Sequence, residues 1–330
     1  MTRLKIGFIG CGGIARAHAN RLVRFSDVEL VAFSDIAVGK AEALAHKFGG
    51  RAYSDWREML DRENLDIVFI CLPPFAHQDE VMVAAEKGVH VYIEKPIALN
   101  VKLAYEMVRA IEKSGVKSQV GYQLRFAAGV ERAKKLIEEG VVGDIGLVSG
   151  RYWCRFIRRD WWLDKSRSGG QVVEQATHIY DLLRWLCGDV ERVYAEMDRL
   201  LYRDVPGMTI EDVSSAVLRF KCGAVGVVTA TIGAAPGVQR LEWVIIGSNA
   251  TLESPDPHSL KVYSLGKQPK VEEYKEAGRD PMTLAERDLI EAVINDKPTR
   301  TPIIEGAKTL ELTLAVVKAA ELGKPQLLGR

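Results

Sequence analysis

The stretch Leu4-Lys5-Ile6-Gly7-Phe8-Ile9-Gly10-Cys11-Gly12-Gly13-Ile14-Ala15 constrains the fold more than any other. A short β-rich apolar run ends in glycines and passes into residues of helical pattern. Strand, glycine loop and helix in that order are the context in which G-x-G-x-x-A reads as a dinucleotide loop. Gly10 permits the tight turn, Gly12 lets backbone approach a pyrophosphate, and Ala15 lets the helix pack closely on the strand. Gly13 and Ile14 stand where a helix amino terminus offers free N–H groups and a positive dipole end to phosphate. Asp35 closes the second apolar run, about 20 residues further on, where a carboxylate accepts hydrogen bonds from ribose hydroxyls. It repels the extra phosphate of NADP, and Ile36 beside it offers no cation to receive one. NAD is therefore the expected cofactor and NADP the less favoured. A generic strand–turn–helix with a surface aspartate is the plainer reading, but it does not account for loop, context and spacing together.

Beyond this loop the first third alternates strand and helix signals. Apolar runs at Asp66–Leu72, Val89–Lys95 and Ser118–Tyr122 are separated by stretches of helical period. Strands buried on both faces read as continuous apolar runs, and their alternation with helices implies a parallel sheet. Residues 1–122 are expected to form a doubly wound α/β domain of Rossmann type. The pattern then changes. A long strand is expected across Gly143–Phe156, and one helix over Gln171–Gly188. Several strands without intervening helices follow, and two helices close the chain near Leu284–Asn295 and Gly306–Leu322. Residues 123–330 thus read as an α+β domain with a large, mostly antiparallel, open-faced sheet. At 330 residues the chain is too long for one ordinary core.

Net charge is +1, so no broad basic field points to nucleic acid or an anionic membrane. Five scattered cysteines form no Cys-x-x-Cys pair and read as free thiols in a reducing compartment. The first residues superficially resemble a secretory signal. Their apolar run is short and broken by glycines that have their own explanation, so a cytoplasmic location is expected. No grouping of His, Cys and carboxylates has metal-ligand spacing.

Three further strings bear on chemistry. Leu72-Pro73-Pro74 ends one parallel strand, with His77 beyond. Glu94-Lys95-Pro96 ends the next. Glu174, His178 and Asp181 stand at i, i+4 and i+7, one face of a single helix. Taken one at a time, His178 reads equally as a satisfied core histidine and Lys95 as a surface charge.

In this order, together with Gly121-Tyr122-Gln123-Leu124-Arg125-Phe126 and the Gly-rich entry to the His178 helix, these strings resemble the glucose–fructose oxidoreductase / inositol dehydrogenase / MocA family. The resemblance covers nearly the whole chain. It implies a two-domain NAD(P)-dependent enzyme acting on sugars, polyols, inositols or related compounds. It also implies a homodimer or homotetramer joined through the open face of the second sheet. Lys95 matches the lysine beside nicotinamide and substrate, preceded by Glu94 and followed by a cis bond to Pro96. His178 matches the catalytic histidine. Glu174 matches a position that is often aspartate, a departure from the family string. His77 is expected to shape the nicotinamide side together with Leu72, Pro73 and Pro74.

The resemblance implies a site at the carboxyl ends of the parallel strands. His178, with an imidazole's ordinary pKa of about 6.5, takes the hydroxyl proton. Lys95 donates to the same oxygen and steadies its charge. Which of the two accepts the proton stays open. Asp181 or Glu174 orients the imidazole or binds substrate hydroxyls. On the substrate side stand Tyr122, Gln123 and Arg125, then Trp153, Arg155 and Trp162 in a stretch that also holds Arg158 and Arg159. Aromatic faces stack on sugar rings and arginines grip phosphate or carboxylate. The same residues read equally as core and surface pairs. Two other activities stay open here: a glycosidase using held NAD for transient oxidation, and a dinucleotide-sensing regulator without turnover.

Overall fold

Apolar runs between glycine and polar turns become the strands of a parallel sheet. The computed structural model describes residues 3–157, 160–266 and 269–329, so Arg158 and Arg159 lie outside the described residues. The chain divides into two units: Met1–Gly121 with Met282–Ala307, and Tyr122–Pro281 with Lys308–Arg330.

In the first unit the strands are β1 (Leu4–Ile9), β2 (Val28–Ser34), β3 (Arg51–Tyr53), β4 (Ile67–Ile70), β5 (His90–Ile93) and β6 (Ser118–Val120). Every residue of β4 is buried, as in a strand covered on both faces. The helices are α1 (Gly13–Leu22), α2 (Val38–Phe48), α3 (Trp56–Arg62), α4 (Glu80–Glu86) and α5 (Val101–Ser114). Asp55 caps α3 by accepting the Arg57 N–H, and Asn100 caps α5 by accepting the Leu103 N–H. Sheet order is β3-β2-β1-β4-β5-β6, all parallel. Order reverses between β1 and β4, where such sheets open a crevice for ligands. The core around Phe8, Phe33, Phe69 and Tyr92 also takes Leu289 and Ile290 from near the carboxyl terminus. The returning chain is stitched along β6: the Val120 N–H donates to Thr301 O, and Thr299 Oγ1 donates to Ser118 O.

The second unit contains α6 (Ala128–Glu138), β7 (Ile145–Trp153), α7 (Lys165–Ser168), α8 (Gln171–Glu174) and α9 (Thr177–Cys187). Strands β8 (Val190–Asp198), β9 (Val213–Phe220), β10 (Val225–Thr231), β11 (Arg240–Gly247), β12 (Ala250–Ser254), β13 (Ser259–Ser264) and β14 (Lys270–Lys275) follow. The chain closes with α10 (Pro281–Ile294), α11 (Ile303–Leu322) and β15 (Gln326–Leu327). The nine strands run β14-β13-β12-β11-β7-β10-β9-β8-β15, antiparallel except for the β7–β10 pair. One face of this sheet is covered by α9, whose side chains are buried at every position but Trp185. Each of its buried leucines contributes about 1.5–3 kcal/mol. Inward residues such as Val148 and Leu218 alternate with outward Leu147 and Val217, the period of a half-covered sheet.

One expectation fails here. Gln171–Gly188 is two helices, not one. Gln171 O accepts from both the Gln175 and the Ala176 N–H, at 2.9 Å each, so the turn widens to an i→i+5 closure before α9 begins. Such wide turns recur at functional sites. Glu174, His178 and Asp181 therefore do not share one uninterrupted helical face.

Candidate active site

A candidate cofactor site is built at the carboxyl ends of β1, β2, β4 and β5. Gly10 has φ +87°, and a Cβ there would lie 2.7 Å from the Cys71 carbonyl oxygen. Only glycine serves at this turn. Gly12 and Gly13 are exposed, and a Cβ on either would meet nothing within 4 Å. They leave an open cradle before the amino terminus of α1, whose first turn carries no acidic residue to offset the helix dipole. Ile14 is half-buried beside this cradle, and Ala15 is fully buried against the core. Asp35 accepts the Cys11 N–H on Oδ2 at 2.8 Å and the Ala37 N–H on Oδ1 at 2.9 Å. Its carboxylate is thus tied to the glycine loop, while Ile36 is 97% exposed. Burial, then the Asp35 charge, pushes the Cys11 thiol up to about 12, so it is no nucleophile.

Beyond β4, Leu72 and Pro73 are half-buried and Pro74 is buried. His77 is buried too: its Nδ1 lies 2.6 Å from Glu80 Oε1, and its Nε2 has no hydrogen-bond partner among the described residues. Beyond β5, Glu94 is 8% exposed, Lys95 is half-buried, and the Lys95–Pro96 bond is cis. An open glycine cradle, an uncompensated helix terminus, a ribose-range carboxylate and an orphaned imidazole nitrogen all fit a dinucleotide.

His178 and its surroundings belong to the second unit. His178 stands in the first turn of α9, 8% exposed. The Tyr122 ring meets it edge-on, centroids 6.0 Å apart. The Tyr152 ring lies nearly parallel to it, centroids 6.5 Å apart. The hydroxyls of both rings are anchored beside the histidine: Tyr122 to Thr177 Oγ1 at 3.0 Å, Tyr152 to Gln175 Oε1 at 3.1 Å. Burial raises both phenol pKa values, followed by the Asp181 charge for Tyr122 and the Cys154 charge for Tyr152. Both are neutral clamps and not acids at neutral pH. Tyr152 is not among the residues the sequence singles out, which include its neighbour Trp153.

The remaining expected residues separate by environment. Glu174 is buried and its Oε2 accepts Trp162 Nε1–H at 2.6 Å. Trp162 is 1% exposed and packs with Met208, Ile210 and Ile232, so it holds Glu174 from the core. Asp181 and Arg125 form a buried bidentate pair: Nε to Oδ2 at 2.8 Å, Nη2 to Oδ1 at 2.6 Å. Thr309 Oγ1 adds a third bond to Asp181 Oδ1 at 3.0 Å. Both side chains are 2% exposed or less. Gln123 is half-buried and Arg155 is exposed, its backbone bridged to Gly233. Strand alternation turns Trp153 away from Tyr152, onto the outer face, where its Nε1 donates to Thr229 Oγ1. All five cysteines are free thiols. Among the described residues no helix is long and apolar enough to cross a membrane, and no cluster is placed to hold a metal ion.

A six-stranded parallel sheet of this order, with its open glycine loop, defines a dinucleotide-binding fold. Comparison with known proteins narrows the class. Residues 4–122 match the Gfo/Idh/MocA oxidoreductase family's NAD-binding Rossmann fold, and residues 130–253 match the Gfo/Idh/MocA C-terminal domain. The chain belongs to this family and is an NAD-dependent dehydrogenase. It is similar to the myo-inositol 2-dehydrogenase of Thermotoga maritima, 31% identical over 256 residues, 76% of this chain and 74% of that one. The WlbA dehydrogenase of Bordetella pertussis, solved with NADH and UDP-GlcNAcA, superposes with a TM-score of 0.85 at 28% identity over 99% of both chains. An NAD-binding oxidoreductase of Klebsiella pneumoniae shares the fold at a TM-score of 0.91 and 24% identity, over all of both chains.

Proposed function

We propose that the protein oxidises a hydroxyl-bearing carbon of a sugar, polyol, inositol or sugar derivative, with Lys95 and His178 acting at the reacting oxygen. NAD, when bound, supplies the hydride acceptor. Gly10, Gly12, Gly13, Ile14, Ala15 and Asp35 hold its adenosine and pyrophosphate end. Leu72, Pro73, Pro74, His77, Glu94 and Lys95 line its nicotinamide end. The His178 imidazole takes the substrate hydroxyl proton, and the Lys95 ammonium donates to the same oxygen as negative charge grows there.

The observation that carries this reading is the aromatic clamp on His178. An imidazole held edge-on by Tyr122 and face-on by Tyr152 keeps one orientation, which proton transfer requires. Glu174, fixed by Trp162, and the Asp181–Arg125 pair keep the helix bearing His178 in place. Tyr122 and Gln123 are offered to substrate hydroxyls. The names of the relatives support the substrate class: one is called a myo-inositol dehydrogenase, another was solved with a nucleotide sugar. A second copy of the chain is proposed to cover the outer sheet face, where Leu147, Val217 and Ile246 are 45%, 49% and 41% exposed. Sedimentation of a monomer would contradict that pairing.

The test is a screen of inositols, sugars and sugar acids with NAD and NADP in parallel, read at the NADH absorbance band. Reduction of NAD by a cyclic polyhydroxyl compound, with NADP clearly worse, is expected. Equal use of both cofactors would defeat the role given to Asp35.

A further inference from the structure

His18 is not part of the chemistry above, yet it is the most heavily engaged histidine of the first unit. It stands on α1, with no exposed surface. Its Nδ1 lies 2.6 Å from Glu286 Oε1 on α10, and its Nε2 lies 2.9 Å from Glu94 Oε1 at the end of β5. Glu286 is fully buried and also accepts Arg21 Nε–H at 2.7 Å. Two such contacts between one imidazole and two carboxyl groups each need a hydrogen between the heavy atoms, and a neutral imidazole carries only one. The cluster therefore holds one proton more than a neutral histidine between two carboxylates.

Its position gives that proton a consequence. Glu94 immediately precedes Lys95. The Glu94 carboxylate lies where a Cβ on Gly121 would stand, 2.7 and 2.8 Å from its two oxygens, so Gly121 leaves it room to swing inward. The inward carboxylate meets His18 on the same helix whose amino terminus follows the glycine cradle. One imidazole thus ties together the helix facing the pyrophosphate, the Glu94-Lys95-Pro96 turn and α10. We propose that His18 is a positioning residue for dinucleotide binding, and that its two-sided hydrogen bonding to Glu94 and Glu286 holds Lys95's turn in the binding arrangement. This rests on the assignment of Lys95 to the nicotinamide end made above.

The groups facing the imidazole are few. Besides Glu94, Glu286 and Arg21, the Tyr92 ring lies edge-on at 5.0 Å and the Phe69 ring at 5.4 Å. Tyr92, and Cys71 beside the same carboxylates, are raised well above their ordinary values by burial and then by Glu94, so they stay neutral. Burial by itself opposes charge on His18, but the hydrogen bonds and charges of Glu286 and Glu94 outweigh it and raise its pKa. The proton is kept above the pH at which an ordinary histidine loses it, and is lost as pH rises through that raised value. There a ring nitrogen faces a carboxylate with no hydrogen between them, and Glu94 is released.

The test is a fluorescence titration of the full-length protein with NADH, from below pH 6.5, the ordinary histidine value, upward through the alkaline range. Wild-type affinity should be flat at the acid end and weaken by about tenfold on the alkaline limb, as when binding shifts one pKa by about one unit. Glu286→Gln keeps an oxygen that accepts from Nδ1 but removes its charge, so its limb should begin at lower pH. His18→Gln should bind weakly throughout and show no limb. A wild-type affinity independent of pH, or a Glu286→Gln limb at the wild-type position, overturns the proposal. Both measurements stand even where His18→Gln does not fold. Because binding is read and not turnover, a protein showing the limb yet oxidising no polyol would sink the reading of the reaction alone.

Discussion

The Tyr152 ring lies over the His178 imidazole with the planes 21° apart, while its hydroxyl donates to Gln175 Oε1 in the wide turn just before α9. One side chain thus sets both the tilt of the histidine and the shape of the turn that presents it. Tyr152→Phe keeps the stack and loses a hydrogen bond of about 1 kcal/mol, so kcat should fall by about fivefold. Tyr152→Leu removes the parallel face as well and should cost about a hundredfold, with NAD binding unchanged in both. Steady-state kinetics beside NADH titration would separate these effects. Equal kcat in Tyr152→Leu and wild type would remove the clamp from the mechanism.

The Arg125–Asp181 pair predicts a stability effect. Both side chains are 2% exposed or less. Breaking such a pair from one side leaves an uncompensated buried charge and costs about 3–5 kcal/mol. Asp181→Asn and Arg125→Met should each lower the denaturation midpoint strongly, and the double variant should recover part of the loss. Simple additivity in a double-mutant cycle would show that the two are not coupled.

Asp35 predicts cofactor choice. With both oxygens held by the Cys11 and Ala37 N–H groups, its charge sits beside the glycine loop with no cation among the neighbouring side chains Ile36 and Ala37. Asp35→Ser should weaken NADH binding by about tenfold or more, since hydrogen bonds to a charged group contribute about 1.5–3 kcal/mol. NADPH should bind better than it does to wild type, the repulsion being gone. Unchanged selectivity would reassign the carboxylate to holding the loop alone.

His18 also predicts how stability varies with pH. Its folded pKa is raised above the ordinary 6.5. The stabilisation is therefore fully present below 6.5 and lost as pH rises through the folded value. Thermal melting of the wild type should decline on the alkaline side, and His18→Gln should be flatter there. An equally steep decline in the variant would assign it to other groups.

The cofactor half was largely legible because its signals are local. Glycines, a continuous apolar strand and a carboxylate at fixed spacing lie within a few tens of residues. Three strands with little pattern are not legible: Arg51–Tyr53 and Gln326–Leu327 span three and two residues, and Lys270–Lys275 is mostly exposed and charged. The histidine half was harder. A pattern of i, i+4 and i+7 does not register a widened turn, so Glu174 was placed on the His178 face by counting. Which of Tyr152 and Trp153 faces inward depends on strand register, which is set by pairing with β10 and β11 and not by β7 itself. His18 carries no local signal in the sequence, because its partners are 76 and 268 residues away.

The central claim, that Lys95 and His178 act together on one oxygen, is tested most directly by comparing NADH formation with NADH binding in Lys95→Ala and His178→Ala. With a polyol or sugar that the wild type oxidises, both variants should lose NADH formation by at least about a hundredfold, and His178→Ala should still bind NADH as the wild type does. Full turnover in either variant would contradict it.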